Sequence, residues 1–455
     1  MVNLKQIKLT LKQVVNSEPS VSQQPKLGGI AANAKILPDL LGEVILEQEG
    51  ETVFAAVELL RRGFIEHRKE PNEEKLQMLL TEIEKLDGIA IERVIHAFST
   101  FFHLTNISEE LDAHTQRHQE EEHNDTWPNS FEDTFRHLRK NGHTLEEVLT
   151  LLQRVNYYPT FTAHPTEAKR PLVLEALQRI QQEYKVGNAP VSSAVERAQS
   201  RHRLKAMIQI FWKTDAVRAN KPTVFDEVDN AVYYFKQSIF AALPNIYRAL
   251  ESALKSVYPE ARGRDIEVPK LIQFGTWVGG DRDGNPFVTA SITRQALWMQ
   301  HIAILEEYIS RVTHLANLLT HSIDQVKLSD ELQQAIRSDK TVFEKHFDTR
   351  SNNEPYRQRL EFIALRLKRT RAYAQKQLEG KASERNALCY VNQQSLRRDL
   401  VLIKDSLASH GEDNLSRGSL RDLLILLDCF GFNLARMDVR QESTLHSQAI
   451  AEMAN

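Results

Sequence analysis

From Leu37 to the last residue, apolar side chains recur at three-to-four-residue spacing, and this helical pattern is broken three times by short apolar segments of another kind. Those breaks constrain the fold most. The helical spacing is plain in Leu40, Leu41, Val44 and Ile45, then Val53, Val57 and Leu60, with Arg61, Arg62 and Gly63 reading as a helix ending. It continues through LQMLLTEIEKL, IERVIHAFSTFFHLTNISEELDAH and AVYYFKQSIFAALPNIYRALESAL, and Thr144 with Glu147 forms a capping-box signature before VLTLLQRV. The breaks are YYPTFT before His164, LIQFGTWV before Gly279 and FGFNLARMDV before Arg440. Each reads as a buried strand that runs into a charged or glycine-rich loop. Strands separated by long helices predict a predominantly α-helical chain with a few parallel strands, in a sheet or barrel. Functional groups then collect at the carboxyl ends of the strands, so the three loops are expected to meet.

Composition narrows the function classes. With 455 residues and 41% hydrophobic content the chain can bury a large core, and 17 Gly with 15 Pro leave few turns. Lys plus Arg (58) nearly balances Asp plus Glu (61), so any anion site must be local. Two cysteines, Cys389 and Cys429, cannot build a disulfide framework and read as small core residues in a reducing, cytoplasmic setting. No apolar run reaches eighteen residues, no fixed-period repeat appears, and residues 1–36 read as a flexible lead-in. P-loop, dinucleotide-binding, HExxH and GxSxG signatures are absent.

Three loops carry residues able to do chemistry. In FTAHPTEAKR, Pro165 holds His164 extended at a strand end, and Thr162, Thr166 or Glu167 can orient its ring; a structural histidine is the competing reading. In GTWVGGDRDGNPFVT, the glycines Gly279, Gly280 and Gly284 permit positive φ and close backbone approach, so amides beside Arg282 can face an anion. The bland alternative is a tight turn held by aspartate side chains. A calcium loop through Asp281, Asp283 and Asn285 is excluded, since Pro286 and Ile292 stand where glycine and glutamate are required. In FNLARMDVRQES, strand alternation sets Phe432, Leu434, Arg436, Asp438 and Arg440 on one face. Asp438 can neutralise one arginine and leave the other for a phosphate or carboxylate; a closed salt bridge is the alternative. His114 and His118 share a helical face, but QRHQEEEHND reads as a solvated helix end rather than a zinc site, and Arg366, Lys368, Arg369 and Arg371 read as a solvated basic face. Nucleic-acid binding through that run is disfavoured by the near-neutral charge.

These three loops, in this order, resemble the phosphoenolpyruvate carboxylase family, specifically its amino-terminal half. FTAHPTE is similar to the signature around the family's catalytic histidine, GTWVGGDRDGNPFVT to its glycine-rich loop, and ARMDVRQES to a substrate-binding strand. The likeness runs from about Leu37 to the end. It implies that residues 37–455 are the first half of a TIM-like α/β barrel enzyme, a lyase that carboxylates phosphoenolpyruvate with bicarbonate to oxaloacetate and phosphate. His164 would be catalytic, Arg436 and Arg440 would bind substrate, and Gly280, Asp281, Arg282 and Asp283 would shape the pocket. The resemblance further implies magnesium or manganese with no ligands in this chain, and a cytoplasmic homotetramer. At Pro171 the chain departs from members that carry a second arginine there, so the activator role linked to that pair is not carried over, although Arg170 is present. HSQAIAEMAN reads as helix without a terminating signal, so the chain is expected to lack the metal-binding half and to be inactive alone. A non-catalytic scaffold or regulatory protein derived from the same fold is the alternative.

Overall fold

A computed structural model describes residues 36–122, 126–162, 170–187, 192–215, 222–264, 266–343 and 353–454, apart from the side chains of residues 114–122, 343 and 413. The lead-in segment, most of the histidine signature with His164, and the histidine of QRHQEEEHND at position 123 lie outside that range, as do the side chains of His114 and His118. The described chain is mostly helical with one small parallel sheet, and it divides into two compact units. No helix among the described residues is long and apolar enough to cross a membrane.

The first unit comprises residues up to 123 together with 172–215. Its longest helices, Ile36–Lys69 and Gly88–Glu122, pack together, and Ala194–Trp212 also packs on the former. The predicted stripe is its core: Leu37, Leu40, Val44 and Leu60 are buried against Leu104 and Ile208. The helix does not end at Gly63. It continues to Lys69, and Gly63 is buried where the side chain of Leu79, on the helix Glu73–Lys85, crosses it too closely to admit a Cβ. The actual irregularity is a kink at Gly50, whose φ of 82° only glycine adopts freely. Ser193 and Glu196 close a capping box at the start of Ala194–Trp212.

The second unit holds residues 124–171 and 216–455. The predicted Thr144–Glu147 capping box is present, and Thr223 with Asp226 builds another. The core lies among Phe240–Val257, Ala290–Leu318, Pro355–Leu378, Gln393–Ala408 and Ser419–Phe430, with Tyr308, Leu360 and Leu427 buried at its centre. Both cysteines are buried, as their sequence context implied; Cys429 sits 3.4 Å from Tyr247 Oη, and burial pushes its thiol up to about 11.

The basic run on Pro355–Leu378 is solvated only in part: Lys368 is exposed, but Arg366 and Arg371 have carboxylate or ring partners. Arg366 donates to Asp399 at 3.0 Å and lies 4.0 Å over the Tyr390 ring, while Arg371 reaches Glu306 at 2.6 Å. Arg359, 4% exposed, bridges Asp339 and Asp399, and Tyr390 Oη donates to Asp399 at 2.6 Å. Carboxylates arriving from distant helices thus neutralise cations that local sequence leaves unmatched.

All three predicted strand segments form one parallel sheet in the order β1 (Thr160–Phe161), β2 (Gly275–Thr276), β3 (Arg436–Met437). Regular pairing is short. Thr160 pairs with Gly275 and Gly275 with Arg436, while single bridges at Tyr157–Ile272 and Asp281–Arg440 extend the contact both ways. One side of the sheet is sealed: Phe161 and Phe274 pack on Phe235, Phe274 stacks on Phe430 at 5.3 Å, and Val278 packs with Val228 and Ala296.

Candidate functional site

In a parallel sheet, paired residues point their side chains the same way and alternate residues share a face. The registered pair Gly275–Arg436 therefore sets Trp277 and Asp438 two residues on, on the face opposite the aromatic layer. That polar face carries Tyr158 from the β1 segment, Trp277 after β2, and Arg436, Asp438 and Arg440 from β3. Gly275 is required there, because a Cβ would lie 2.6 Å from the Tyr158 ring.

The expected alternation holds from Arg436 to Arg440 but not before it. Phe432, Leu434 and Ala435 are all buried, and Leu434 has φ 62°, so a turn separates Phe432 and Leu434 from the strand and they belong to the core. Arg436 N–H donates to Phe274 O at 2.8 Å and Asp438 N–H to Thr276 O at 2.9 Å, which locks β3 to β2.

The charges on this face pair differently from the sequence expectation. Asp438 neutralises neither arginine; its carboxylate accepts the Trp277 indole N–H at 3.2 Å. Arg440 faces Asp281 at 3.7 Å and lies 3.9 Å over the Trp277 ring, a cation–π contact. Arg436 has no carboxylate partner among the described residues, so one guanidinium does remain available, by a different route. Tyr158 lies close enough to feel both charges. Burial first, then the Asp438 carboxylate, raise its hydroxyl above the usual tyrosine range, and Arg436 opposes them.

The glycine-rich loop crosses the carboxyl end of the sheet. Gly279 (φ 81°) and Gly284 (φ 65°) adopt the left-handed conformation, and Gly280 approaches β3 so closely that a Cβ would lie 2.5 Å from the Asp438 carbonyl oxygen. Three of the loop's backbone amides are engaged within the fold rather than turned to an anion. Those of Gly280 and Asp281 donate to Trp277 O, and that of Arg282 donates to Arg440 O, each at 2.8 Å. Nor do aspartates hold the turn: Asn285 Oδ1 accepts from Phe287 N–H at 3.1 Å, and Asp281 reaches Arg440 instead. Thr293 Oγ1 ties the loop to the helix Ala290–Leu318 by donating to Gly279 O at 2.8 Å. Asp281 Oδ1 and Arg282 Nε are buried without partners, and Asp283 is exposed.

His164 lies outside the described residues, and β1 ends at Phe161. The remaining predicted residues gather at one end of one sheet. Sequence reasoning missed Trp277 and Tyr158. The signal for Trp277 was its place two residues after a strand glycine, which puts it beside Asp438 once the strands are taken as parallel neighbours; Tyr158 had no local signal.

The donor set suits an anion rather than a divalent cation. Asp281 faces a guanidinium, Asp438 is bound by an indole N–H, and no group of three His, Cys, Asp or Glu among the described residues is arranged to hold a metal.

Comparison with known proteins identifies the family. Residues 30–455 match the family model described as phosphoenolpyruvate carboxylase. The chain is similar to the phosphoenolpyruvate carboxylase of Roseiflexus castenholzii, 35% identical over 434 residues, covering 93% of this chain and 46% of the relative. It is 32% identical to that of Nitrosomonas europaea, covering 92% and 44%, and 36% identical to that of Prochlorococcus marinus, covering 82% and 40%. The chain spans a little under half the length of these curated relatives. With the family model matched over residues 30–455 and relatives at 32–36% identity, and with the strands that lead into its three motifs paired in one parallel sheet, the chain belongs to the phosphoenolpyruvate carboxylase family.

Proposed function

We propose that the polar face of the β1–β2–β3 sheet is part of the substrate site of a phosphoenolpyruvate carboxylase, with Arg436 binding the phosphoryl group. The carrying observation is that, among the described residues, the Arg436 guanidinium on the open face has no carboxylate partner, while Arg440 faces Asp281 and Asp438 is bound by the Trp277 indole. A planar fork of donors suits phosphoryl oxygens. Arg440, stacked on Trp277, would line the same site, while Asp281, Arg282, Asp283 and Gly280 shape it. On this reading the sheet is the opening segment of a TIM-like parallel barrel, and the working protein is a cytoplasmic homotetramer.

In the reaction, a bicarbonate oxygen attacks phosphorus and the bond from phosphorus to the enol oxygen breaks, giving carboxyphosphate and pyruvate enolate. His164 accepts the carboxyphosphate proton as carbon dioxide and phosphate separate. The enolate methylene carbon then attacks carbon dioxide, forming oxaloacetate. Arg436 stabilises the charge that moves onto the phosphoryl oxygens. A divalent cation, magnesium or manganese, would be held by groups other than the described side chains, and no step above depends on one of them as a ligand.

The test is an oxaloacetate-coupled assay on this chain joined to the remainder of a carboxylase. His164→Asn should abolish carboxylation, and Arg436→Gln should raise the KM for phosphoenolpyruvate at least tenfold. Wild-type carboxylation by both variants would refute the assignment, and inactivity of the wild-type joined protein would favour a non-catalytic descendant of the fold.

A further inference from the structure

Arg436 is aimed by what precedes it. Between the helix Ser419–Phe430 and β3 the chain reverses in five residues, two of them at positive φ: Gly431 at 55° and Leu434 at 62°. Gly431 has a φ of 55° that L side chains rarely adopt, so glycine suits it, but leucine in the left-handed region is strained by about 1–2 kcal/mol. Such a turn persists only if surrounding contacts hold it.

Two side chains on the helix Ala290–Leu318 do so. Tyr308 Oη donates to Gly431 O at 2.7 Å, and His301 Nδ1 lies 2.6 Å from Phe432 O. They are seven residues apart, two helical turns, so they share a face and grip consecutive carbonyls. A carbonyl only accepts, so the His301 Nδ1 must carry the proton. The imidazole is wedged edge-on between Phe432, at 5.8 Å, and Trp298, at 5.6 Å, which fixes its orientation.

We propose that His301 is a positioning residue for the anion site, holding the Phe432 carbonyl so that β3 leaves its strained turn with the Arg436 guanidinium directed onto the open polar face. The proposal rests on the reading of Arg436 as the phosphoryl-binding group. Tyr308 is fully buried, so its replacement would confound aim with stability. His301 is half-buried and separates the two.

The experiment compares His301→Phe, which keeps the ring and removes the donor, with His301→Asn, whose amide can donate from nearly the same point. Phosphoenolpyruvate binding is read by calorimetry, and hydrogen exchange is read at the Arg436 and Asp438 amides, whose acceptors are Phe274 O and Thr276 O. His301→Phe should weaken phosphoenolpyruvate about tenfold and accelerate exchange at both amides, leaving amides in the helix Ile36–Lys69 unchanged, and His301→Asn should restore most of both. Unchanged exchange at Arg436 and Asp438 in His301→Phe overturns the positioning role, as does unchanged affinity where Arg436→Gln loses binding. Arg436→Gln binding as tightly as wild type, or no binding by the wild-type chain, overturns the site reading itself; the exchange data keep the two failures apart.

Discussion

Replacing Gly280 with alanine tests how tightly the glycine-rich loop is fitted to β3. The new Cβ would lie 2.5 Å from the Asp438 carbonyl oxygen and 2.7 Å from Met437 Cγ, where ordinary contact begins at 3.4 Å. The methionine can move, but the carbonyl cannot move alone, since it belongs to a strand held by Asp438 N–H on Thr276 O and Arg440 N–H on Gly280 O. Loop and strand must therefore part by about 0.9 Å, the difference between 3.4 and 2.5 Å. Overpacking of this kind costs about 1–3 kcal/mol, and weakening the reciprocal Arg440–Gly280 and Arg282–Arg440 bonds adds about 1 kcal/mol. Gly284→Ala is the control. Its φ is 65° but nothing lies within 4 Å of the new Cβ, so only backbone strain of about 1 kcal/mol applies. Native-state hydrogen exchange at the Arg440 and Arg282 amides reads the local opening free energy, which should fall by about 2–4 kcal/mol in Gly280→Ala. The packing argument fails if Gly280→Ala exchanges like wild type, or if Gly284→Ala opens those amides more.

Asp399→Asn removes charge from a carboxylate bound by Arg359, Arg366 and Tyr390 and leaves Asp339 to compensate Arg359, so urea denaturation should show a loss of about 3 kcal/mol; a loss under 1 kcal/mol would contradict the network's role. Asp438→Asn keeps an acceptor for the Trp277 indole but removes a negative charge from the face that carries Arg436, so inorganic phosphate should bind about two- to fivefold more tightly at low salt, an advantage that 0.5 M salt should erase. The thiol of Cys429, pushed up to about 11, and the hydroxyls of Tyr184 and Tyr356, each pushed up to about 12, are neutral in the folded chain, all three chiefly through burial. Their stabilisation is complete below the unfolded values of 9 and 10 and is lost as pH rises through 11 and 12, so the unfolding midpoint should drop between pH 9 and 12 while both buried cysteines resist a thiol reagent at pH 8. Constant stability over that interval would show that these groups are hydrated.

The strands were legible because strand and helix periods differ: YYPTFT, LIQFGTWV and the segment before Arg440 stand out from a chain that otherwise repeats every three to four residues. Their parallel pairing was legible too, since long intervening helices leave it as the economical arrangement, whereas the order β1-β2-β3 was not specified in advance. What stayed hidden depends on partners remote in sequence. Gly63 looks like a helix stop until Leu79 is seen across it, and Arg366 looks solvated until Asp399 arrives from another helix. The turn at Leu434 is invisible in a string whose alternation runs through it, because its left-handed φ depends on bonds from a helix more than a hundred residues earlier.

The same distinction explains how candidate residues could be grouped on one face from sequence while their pairing could not. Residue type and spacing placed Arg436, Asp438 and Arg440 on one face, but which charge is left over depends on what the neighbouring strand and loop present. Trp277 occupies Asp438 from one side, and Asp281 draws Arg440 toward the loop. The first follows from the Gly275–Arg436 register; the second needs the bridge between Asp281 and Arg440, which sets the loop in register with β3 and requires the closest backbone approach in the loop, at Gly280. The guanidinium left without a carboxylate among the described residues is thus a product of the sheet's register, which is why a methyl group at position 280, far along the chain from Arg436, is expected to disturb anion binding as well as local stability.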